Sequence, residues 1–296
     1  MIPLIPMKIS KSKCMILLFL LLIFIYILLS VTTNNTIAIV HYNLKSPLLN
    51  EQSNIKIVLV SDLHSGVYGK DQSILIDKIK NSSPDLIVLA GDIFDDLVPM
   101  TGAKLFLSGI ADIAPVYFVT GNHEHWSSDL MTIHEVLLSY GVTILSDEYT
   151  NIIINNNEIV LAGIEDPAGL GVSGRKLYEI SEYDQNYIME KMFRELDEIS
   201  LYKILVAHRP EKIDLYTKYS FNLVLSGHTH GGQVRIPYML NGLYAPNQGL
   251  FPKYGGGVYT HGNLIHIISR GLSKKYKLPR VWNPPELVII TIEAGI

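Results

Sequence analysis

The chain has 296 residues, enough for one large domain or two small ones. Its 24 basic and 28 acidic residues give a formal net charge of −4, which argues against nucleic-acid binding because proteins of that class normally carry a basic excess. The single cysteine, Cys14, excludes an intramolecular disulfide, so the folded part must be stable through its core alone.

The most apolar stretch, residues 15–31, comes first and contains no charge and no helix breaker. Its length is close to the lower limit for a helix that spans a bilayer. Lysines precede it and acidic residues do not, so the positive-inside rule places the N-terminus in the cytoplasm. The sequence predicts a cytoplasmic tail at 1–14, a transmembrane anchor at 15–31, a linker at 32–36 and one extracytoplasmic domain at 37–296.

A cleaved signal peptide is the alternative for this stretch. The apolar region of such a peptide usually ends before a site of small residues. Here the run is longer than usual, and Ser30, Val31 and Thr32 form a poor cleavage site. An uncleaved anchor is therefore favoured, and both interpretations export the remainder of the chain.

Apolar strands alternate with helices in the first half of the domain. Continuous apolar strands of this kind indicate parallel βαβ units in a sheet that is covered on both faces. An edge strand is expected at 37–44, strands at 55–60, 85–90 and 116–120, and helices at 71–81, 101–113 and 129–140.

The second half has shorter elements. Three short segments joined by tight turns, at 143–145, 151–155 and 158–164, predict an antiparallel meander. After them we expect a Gly-rich loop at 166–174, a helix at 187–199 and strands at 202–207, 221–226, 264–269 and 287–292.

Polar residues follow these apolar strands at the points where the strands end. Asp62, Asp92 and Asn122 recur at the spacing of one βαβ unit, so their strand ends should be neighbours in space. Each residue alone also suits a turn or a helix cap. A set of carboxylate, amide oxygen and imidazole suits Mn²⁺, Fe or Zn²⁺. Seven residues form the candidate metal-binding set: Asp62, His64, Asp92, Asn122, His208, His228 and His230.

The ordered motifs SDLH, GDIFD, GNHE, AH and GHTH closely resemble those of the calcineurin-like metallophosphoesterases, over about residues 37–292. The closing SRG and NPPEL segments, with the apolar N-terminus, resemble the membrane-associated bacterial phosphodiesterase branch of that family. The resemblance implies an α/β fold, a four-layer α/β/β/α sandwich of two mixed sheets.

The resemblance also implies a site with two divalent metal ions, with Mn expected and Fe or Zn as alternatives. Two such ions lower the pKa of a bridging water and polarise phosphoryl oxygens. The implied roles are Asp62, His64 and His230 on the first metal, Asn122, His208 and His228 on the second, Asp92 as the bridge, and His123 as the acid that protonates the leaving oxygen.

Two further positions are of interest. Asp95 fits the family's GDxxD motif and would orient a ligand histidine, with a helix cap as the alternative; Glu124 is similarly placed.

Arg270 begins a basic run that a solvated loop would explain. The alternatives are contact of Arg270 with substrate phosphate and of the lysines with anionic lipid. The other members of the run are Lys274, Lys275, Lys277 and Arg280.

The expected function is therefore a metal-dependent phosphoesterase that acts on diesters rather than monoesters. Its location would be the outer face of the membrane, and its substrate a lipid- or wall-linked phosphate compound. One alternative is a hydrolase of nucleotide or sugar-phosphate monoesters, and another is a membrane-tethered binding protein without catalysis. The intact ligand set and His123 argue against the last.

Overall fold

The computed structural model describes residues 11–32, 36–127, 129–170, 182–274 and 278–295. Residues 1–10 of the predicted tail, 33–35 of the predicted linker and 171–174 of the predicted Gly-rich loop lie outside this part of the chain. The assignment of residues 37–296 to one domain stays a prediction.

The strands agree with the predicted segments to within three residues where both exist. In chain order they are β1 (Ala38–Ser46), β2 (Asn54–Val60), β3 (Leu86–Ala90), β4 (Val116–Val119), β5 (Thr143–Ile144), β6 (Glu148–Ile154), β7 (Asn157–Ile164), β8 (Tyr202–Ala207), β9 (Leu223–Ser226), β10 (Tyr244–Ala245), β11 (Gly249–Leu250), β12 (Gly257–His261), β13 (Leu264–Ile268) and β14 (Glu286–Ala294).

α1 precedes the first strand, and the other helices lie in the connections between strands. In chain order they are α1 (Lys11–Thr32), α2 (Ser73–Ser82), α3 (Thr101–Ile110), α4 (Asn122–Trp126), α5 (Leu130–Ser139), α6 (Glu182–Phe193) and α7 (Ile213–Tyr216). In α3, residues spaced three and four apart (Ala103, Phe106, Leu107 and Ile110) are buried, which is the pattern of a helix with one face on a core.

The first sheet has the order β1-β14-β2-β3-β4-β5. β2, β3, β4 and β5 are parallel, β14 is antiparallel to β2, and β1 is parallel to β14. The second sheet has the order β12-β13-β9-β8-β7-β6, with a parallel centre and an antiparallel pair at each edge. Both sheets are therefore mixed, as predicted.

Side chains alternate between two cores along β2. Ile55, Ile57 and Leu59 belong to the apolar layer between the two sheets. Val58 and Val60 belong to the layer between the first sheet and α2, α3 and α5. A third layer joins the second sheet to α6 and α7. The predicted four-layer α/β/β/α sandwich is confirmed.

The predicted meander is wrong in part. β6 and β7 form an antiparallel hairpin in the second sheet. β5, in contrast, pairs in parallel with β4 and completes another βαβ unit after α5. With only two residues, β5 has no alternation from which its sheet could be inferred. Five elements were not predicted: α4, α7, β10, β11 and β12. The predicted helix at 187–199 corresponds to α6, which both begins and ends earlier, at Glu182 and Phe193.

The predicted anchor at 15–31 falls within α1. In the part of the chain that the structure describes, no helix combines the length and the apolarity that a membrane crossing requires. The prediction of a transmembrane helix is therefore not supported.

Candidate metal centre

The predicted ligands lie together where strands of both sheets end. Parallel strands in one sheet end at the same edge, and side chains from their following loops meet there. The first sheet supplies four of the ligands and the second supplies three: Asp62 and His64 after β2, Asp92 after β3, Asn122 after β4, His208 after β8, and His228 and His230 after β9.

Left-handed backbone turns direct several of these side chains inward. The φ angle is +51° at Asp62, +48° at His64, +54° at Asp92, +70° at His228 and +49° at His230. Residues with a β-carbon rarely adopt such angles, and each instance costs on the order of 1–3 kcal/mol. Strain of this kind persists when the surrounding structure holds it, and it is concentrated at functional sites.

One group of donors contains Asp62, His64, Asp92 and His230, whose ligand atoms lie within 4.8 Å of one another. Nε2 of His64 is 3.3 Å from Nε2 of His230 and 3.7 Å from Oδ2 of Asp92. Nε2 of His230 is 3.4 Å from Oδ1 of Asp62. Carboxylate oxygens and imidazole nitrogens thus converge at one point, as they do around a borderline divalent cation.

A second group contains Asp92, His208 and His228. Nε2 of His208 is 3.1 Å from Oδ2 of Asp92, the same oxygen that faces His64. The Asp92 carboxylate therefore belongs to both groups. Oδ1 of Asn122 is buried and has no hydrogen-bond donor within the described residues. An acceptor that has lost its water in this way fits a metal ligand.

Outer contacts hold two of the histidines in the required tautomer. Nδ1 of His64 donates to Oδ2 of Asp95 at 3.0 Å, and Nδ1 of His208 donates to the carbonyl of Ala90 at 2.7 Å. In each ring Nε2 keeps its lone pair for the centre. Gly91 permits the second contact, because a β-carbon there would lie 2.5 Å from Nδ1 of His208.

Asp95 also fixes its own loop. Its Oδ1 accepts hydrogen bonds from the backbone N–H groups of Leu97 and Val98 at 2.8 and 2.9 Å. α3 begins only at Thr101, so these bonds belong to a turn and not to a helix cap. The contact predicted between Asp95 and a ligand histidine is present.

The third histidine has an outer partner that sequence reasoning missed. Nε2 of His228 donates to Oδ1 of Asn247 at 2.8 Å, which leaves Nδ1 as the ligand atom of His228. Asn247 lies in the turn between β10 and β11, outside every motif. No sequence signal points to it.

His123 lies beside both groups and is partly exposed. Its Nδ1 donates to Oδ1 of Asp96 at 2.6 Å. Its ring packs edge-on against His64, with ring centroids 4.4 Å apart, and next to Trp126. Asp96 was also missed, although it directly follows the GDIFD motif. Only the fold reveals which of the two adjacent aspartates contacts which histidine.

Glu124 joins two of the ligand loops. Its buried carboxylate accepts hydrogen bonds from the backbone N–H groups of Asp92, Phe94 and Gly121, at 2.7 to 2.9 Å. Burial and the nearby Asp92 carboxylate raise the pKa of Glu124 to about 7. Glu124 thus fixes the loop after β3 against the start of α4 and contacts no ligand histidine.

The electrostatics of the centre favour a cation. Burial alone would raise the pKa of Asp62 and Asp92, but neighbouring histidines hold both well below the usual range. Burial alone would likewise lower the pKa of His208, yet Asp92 raises it to about 10. The pair of His208 and Asp92 therefore binds a proton tightly where a metal ion would supply the positive charge.

Two arginines of the basic run are held by protein groups and are not solvated as a loop would be. Arg270 donates from its backbone N–H and its Nε to the carboxylate of Glu286. Arg280 is buried and donates to the carbonyls of Arg270, Gly271 and Ser273, so it is a structural clamp and not a solvated or lipid-facing residue. Lys275 and Lys277 lie outside the described residues.

Lys274 is also held within the protein. Its Nζ donates to the carbonyl of Val67 at 2.7 Å and lies 3.9 Å from the centre of the Tyr68 ring. Gly271 packs against Asp62, because a β-carbon there would lie 2.6 Å from Oδ2 of that residue. The loop after β13 therefore forms one side of the centre.

Comparison with known proteins agrees with the family that the sequence motifs resemble. A family model described as calcineurin-like phosphoesterase matches residues 55–232. An uncharacterized metallophosphoesterase of Campylobacter jejuni is 31% identical over 252 residues, which cover 82% of this chain and 60% of that protein. Phosphodiesterase YaeI of Escherichia coli is 28% identical over 244 residues, which cover 80% of this chain and 82% of that protein.

Among solved structures, a 5′-nucleotidase precursor from Thermus thermophilus matches with a TM-score of 0.50 and 14% identity. The match covers 75% of this chain and 50% of the nucleotidase. At this identity the likeness concerns the fold alone.

Proposed function

Because the chain belongs to the calcineurin-like phosphoesterase family and is a hydrolase of phosphoric esters, we propose that it cleaves phosphodiesters at a dinuclear metal centre. The observation that carries this proposal is the position of Asp92, whose Oδ2 faces His64 and His208 at once. Imidazole has one lone pair to offer, whereas a carboxylate can serve two cations. Asp92 is therefore the residue suited to bridge.

The donor set fits two divalent ions. Asp62, His64 and His230 would hold one, Asn122, His208 and His228 would hold the other, and Asp92 would be shared. When bound, such ions neutralise the phosphate charge and supply a water of lowered pKa. Mn²⁺ suits the mixture of oxygen and imidazole donors, with Fe or Zn²⁺ as alternatives.

His123 supplies the proton that the leaving group needs. Its Nδ1 is held by Asp96, so its Nε2 is directed away from that carboxylate. As water attacks phosphorus and the ester P–O bond breaks, Nε2 of protonated His123 gives its proton to the departing oxygen. The hydrogen bond to Asp96 holds the ring of His123 in the orientation that this role requires. General acid catalysis of this kind contributes about 10²–10⁴-fold.

A diester is proposed in preference to a monoester because the E. coli relative is described as a phosphodiesterase. The test is hydrolysis of bis-(p-nitrophenyl) phosphate and p-nitrophenyl phosphate by the full chain, with Mn²⁺, Zn²⁺, Fe²⁺ and Mg²⁺ supplied separately. Turnover of the diester in excess of the monoester is expected. A preference for monoesters would favour a nucleotide or sugar-phosphate hydrolase, and metal binding without turnover would favour a binding protein.

The proposed location is the outer face of the membrane, with a lipid- or wall-linked phosphate compound as the substrate class. The lysines before the apolar run 15–31 support export by the positive-inside rule. Protease added to intact protoplasts should digest the domain. Full protection, with digestion only after lysis, would reverse the orientation.

A further inference from the structure

A cleft of about 480 Å³ lies between the loop that follows His230 and the loop that follows β13. This volume is in the range of small-molecule sites. Arg235, Arg270 and Trp282 line the cleft together with the turn 236–241. A β-carbon at Gly256 would lie 2.7 Å from Cγ of Arg270 and 3.2 Å from Nη1 of Arg235, so both arginines pass over this glycine. We call this feature the arginine cleft.

The two guanidinium groups differ in their partners. Arg270 is paired with Glu286. The side chain of Arg235 has neither a hydrogen bond nor an ion pair in the described ranges of the chain, and its Nη1 is buried. Burial of an unpartnered guanidinium N–H is costly. Two cations and one carboxylate leave the cleft with excess positive charge, and an anion would supply the acceptor that Arg235 lacks.

The rim of the cleft is apolar. Side chains at the tip of the turn are almost fully exposed, with Tyr238 at 108% and Met239 at 84%. Backbone hydrogen bonds between Ile236 and Leu240 close the turn and hold this tip outward. Large apolar side chains exposed together mark binding surfaces. Beside two arginines they match a ligand that is anionic at one end and apolar at the other.

We propose that the arginine cleft binds an amphiphile that carries a phosphate head group. Arg235 and Arg270 hold the phosphate oxygens, and the turn 236–241 contacts the attached alkyl chain. Gly271, the neighbour of Arg270, packs against Asp62, so the head group lies next to the metal centre. Binding itself does not depend on hydrolysis. The conclusion that such an amphiphile is the substrate class rests on the proposed function.

The chain contains two tryptophans, so Trp126→Phe leaves Trp282 in the cleft as the single reporter. The experiment titrates this full-length variant in a fixed amount of neutral detergent, with EDTA present to prevent turnover. The probes are decyl phosphate, inorganic phosphate and decyl maltoside, which separate head group from chain. Decyl phosphate should shift the Trp282 emission and bind at least about tenfold more tightly than either comparator.

Variants assign the binding to the cleft. Arg235→Gln should weaken decyl phosphate binding about tenfold, the value of one charge-assisted contact. Arg194→Gln removes an exposed arginine in the segment between α6 and β8, which forms an ion pair with Glu190, and it should leave binding unchanged. Tyr238→Ser should weaken binding of decyl phosphate but not of inorganic phosphate. Ile153→Ser, at an exposed position of β6, is the matched control.

Several results would overturn the proposal. Equal affinity for inorganic and decyl phosphate would reduce the cleft to a plain anion site, and equal affinity for decyl maltoside would reduce it to an apolar surface. Unchanged binding in both Arg235→Gln and Tyr238→Ser would exclude the arginine cleft as the binding site. Because the Tyr238 side chain is fully exposed, Tyr238→Ser should fold as the parent chain does. Asp92→Asn should abolish hydrolysis and keep amphiphile binding, which separates this proposal from the proposed function.

Discussion

The metal centre and the arginine cleft lie side by side and are built in opposite ways. In the centre, His64, His208 and His228 each have one ring nitrogen held by an outer partner. In the cleft, the Arg235 side chain has no partner among the described residues. The centre is therefore organised before a ligand arrives, whereas the cleft gains its last contact from the ligand.

This difference follows from the tasks of the two regions. Reaction requires donors that are fixed to within a fraction of an ångström, and outer contacts provide that precision. Recognition of a flexible anionic group tolerates a longer, movable arginine. Variants in the centre should thus reduce turnover strongly, and variants in the cleft should change substrate affinity modestly.

The largest effect is expected from Asp92→Asn. An amide keeps the shape of Asp92 but removes the charge that both ligand groups share, so most bound metal and nearly all hydrolysis should be lost. Metal content by mass spectrometry and turnover of an aryl phosphodiester measure this. Asp112→Asn, at an exposed position, is the control. Two metals per chain and normal turnover in Asp92→Asn would refute the dinuclear centre.

His123→Ala should have the next largest effect. We expect kcat to fall about 10²–10⁴-fold while metal content is kept, because the proposed mechanism uses His123 to move a proton and not to hold a metal. The loss should shrink for substrates with good leaving groups, which need no proton. Asp96→Asn should also lower kcat more for poor leaving groups than for good ones, but by a smaller factor than His123→Ala. Equal losses for good and poor leaving groups would count against the acid role of His123.

Much of the centre could be predicted from the sequence because its ligands follow buried strands. A continuous apolar strand such as β3 identifies its own end, and parallel pairing brings successive ends together. Asp92 and Asn122 therefore could be placed as neighbours before the structure was known. The parallel βαβ units followed from the same alternation of strands and helices, whereas the four-layer sandwich was implied by the family resemblance.

The arginine cleft and the hydrogen-bond partners of the ligand histidines could not be predicted, because no periodic sequence pattern marks the residues that form these contacts. Asn247 reaches His228 from a turn whose position depends on the whole segment between β9 and β12. Arg280 belongs to a run whose composition is that of a solvated basic loop, yet its side chain donates to three backbone carbonyls. Such contacts arise from tertiary packing alone.

Asn247→Ala should lower metal affinity by about 10–100-fold at the group that contains His228, the usual size of an effect from an outer partner. The ring of His228 would lose the contact that fixes its tautomer. Metal titration followed by calorimetry should show one weakened site and one unchanged site. Asn263→Ala, at an exposed turn, is the control. Equal weakening of both sites would assign Asn247 to general stability.

Arg270 combines the two modes of construction, because it has a protein partner, Glu286, and also lines the cleft. Its substitution should have the smallest effect. Arg270→Ala should raise KM several-fold for an amphiphilic phosphodiester, since the loss of one partly exposed charged contact is worth about 1 kcal/mol. The same change leaves the buried Glu286 carboxylate without its partner, so the melting temperature should also fall. The double variant Arg270→Ala with Glu286→Gln removes that unpaired charge and should recover much of the melting temperature. If KM stays raised in the double variant, Arg270 acts on the ligand. If KM recovers together with the melting temperature, Arg270 serves only to hold the start of β14, and recognition in the cleft falls to Arg235 alone.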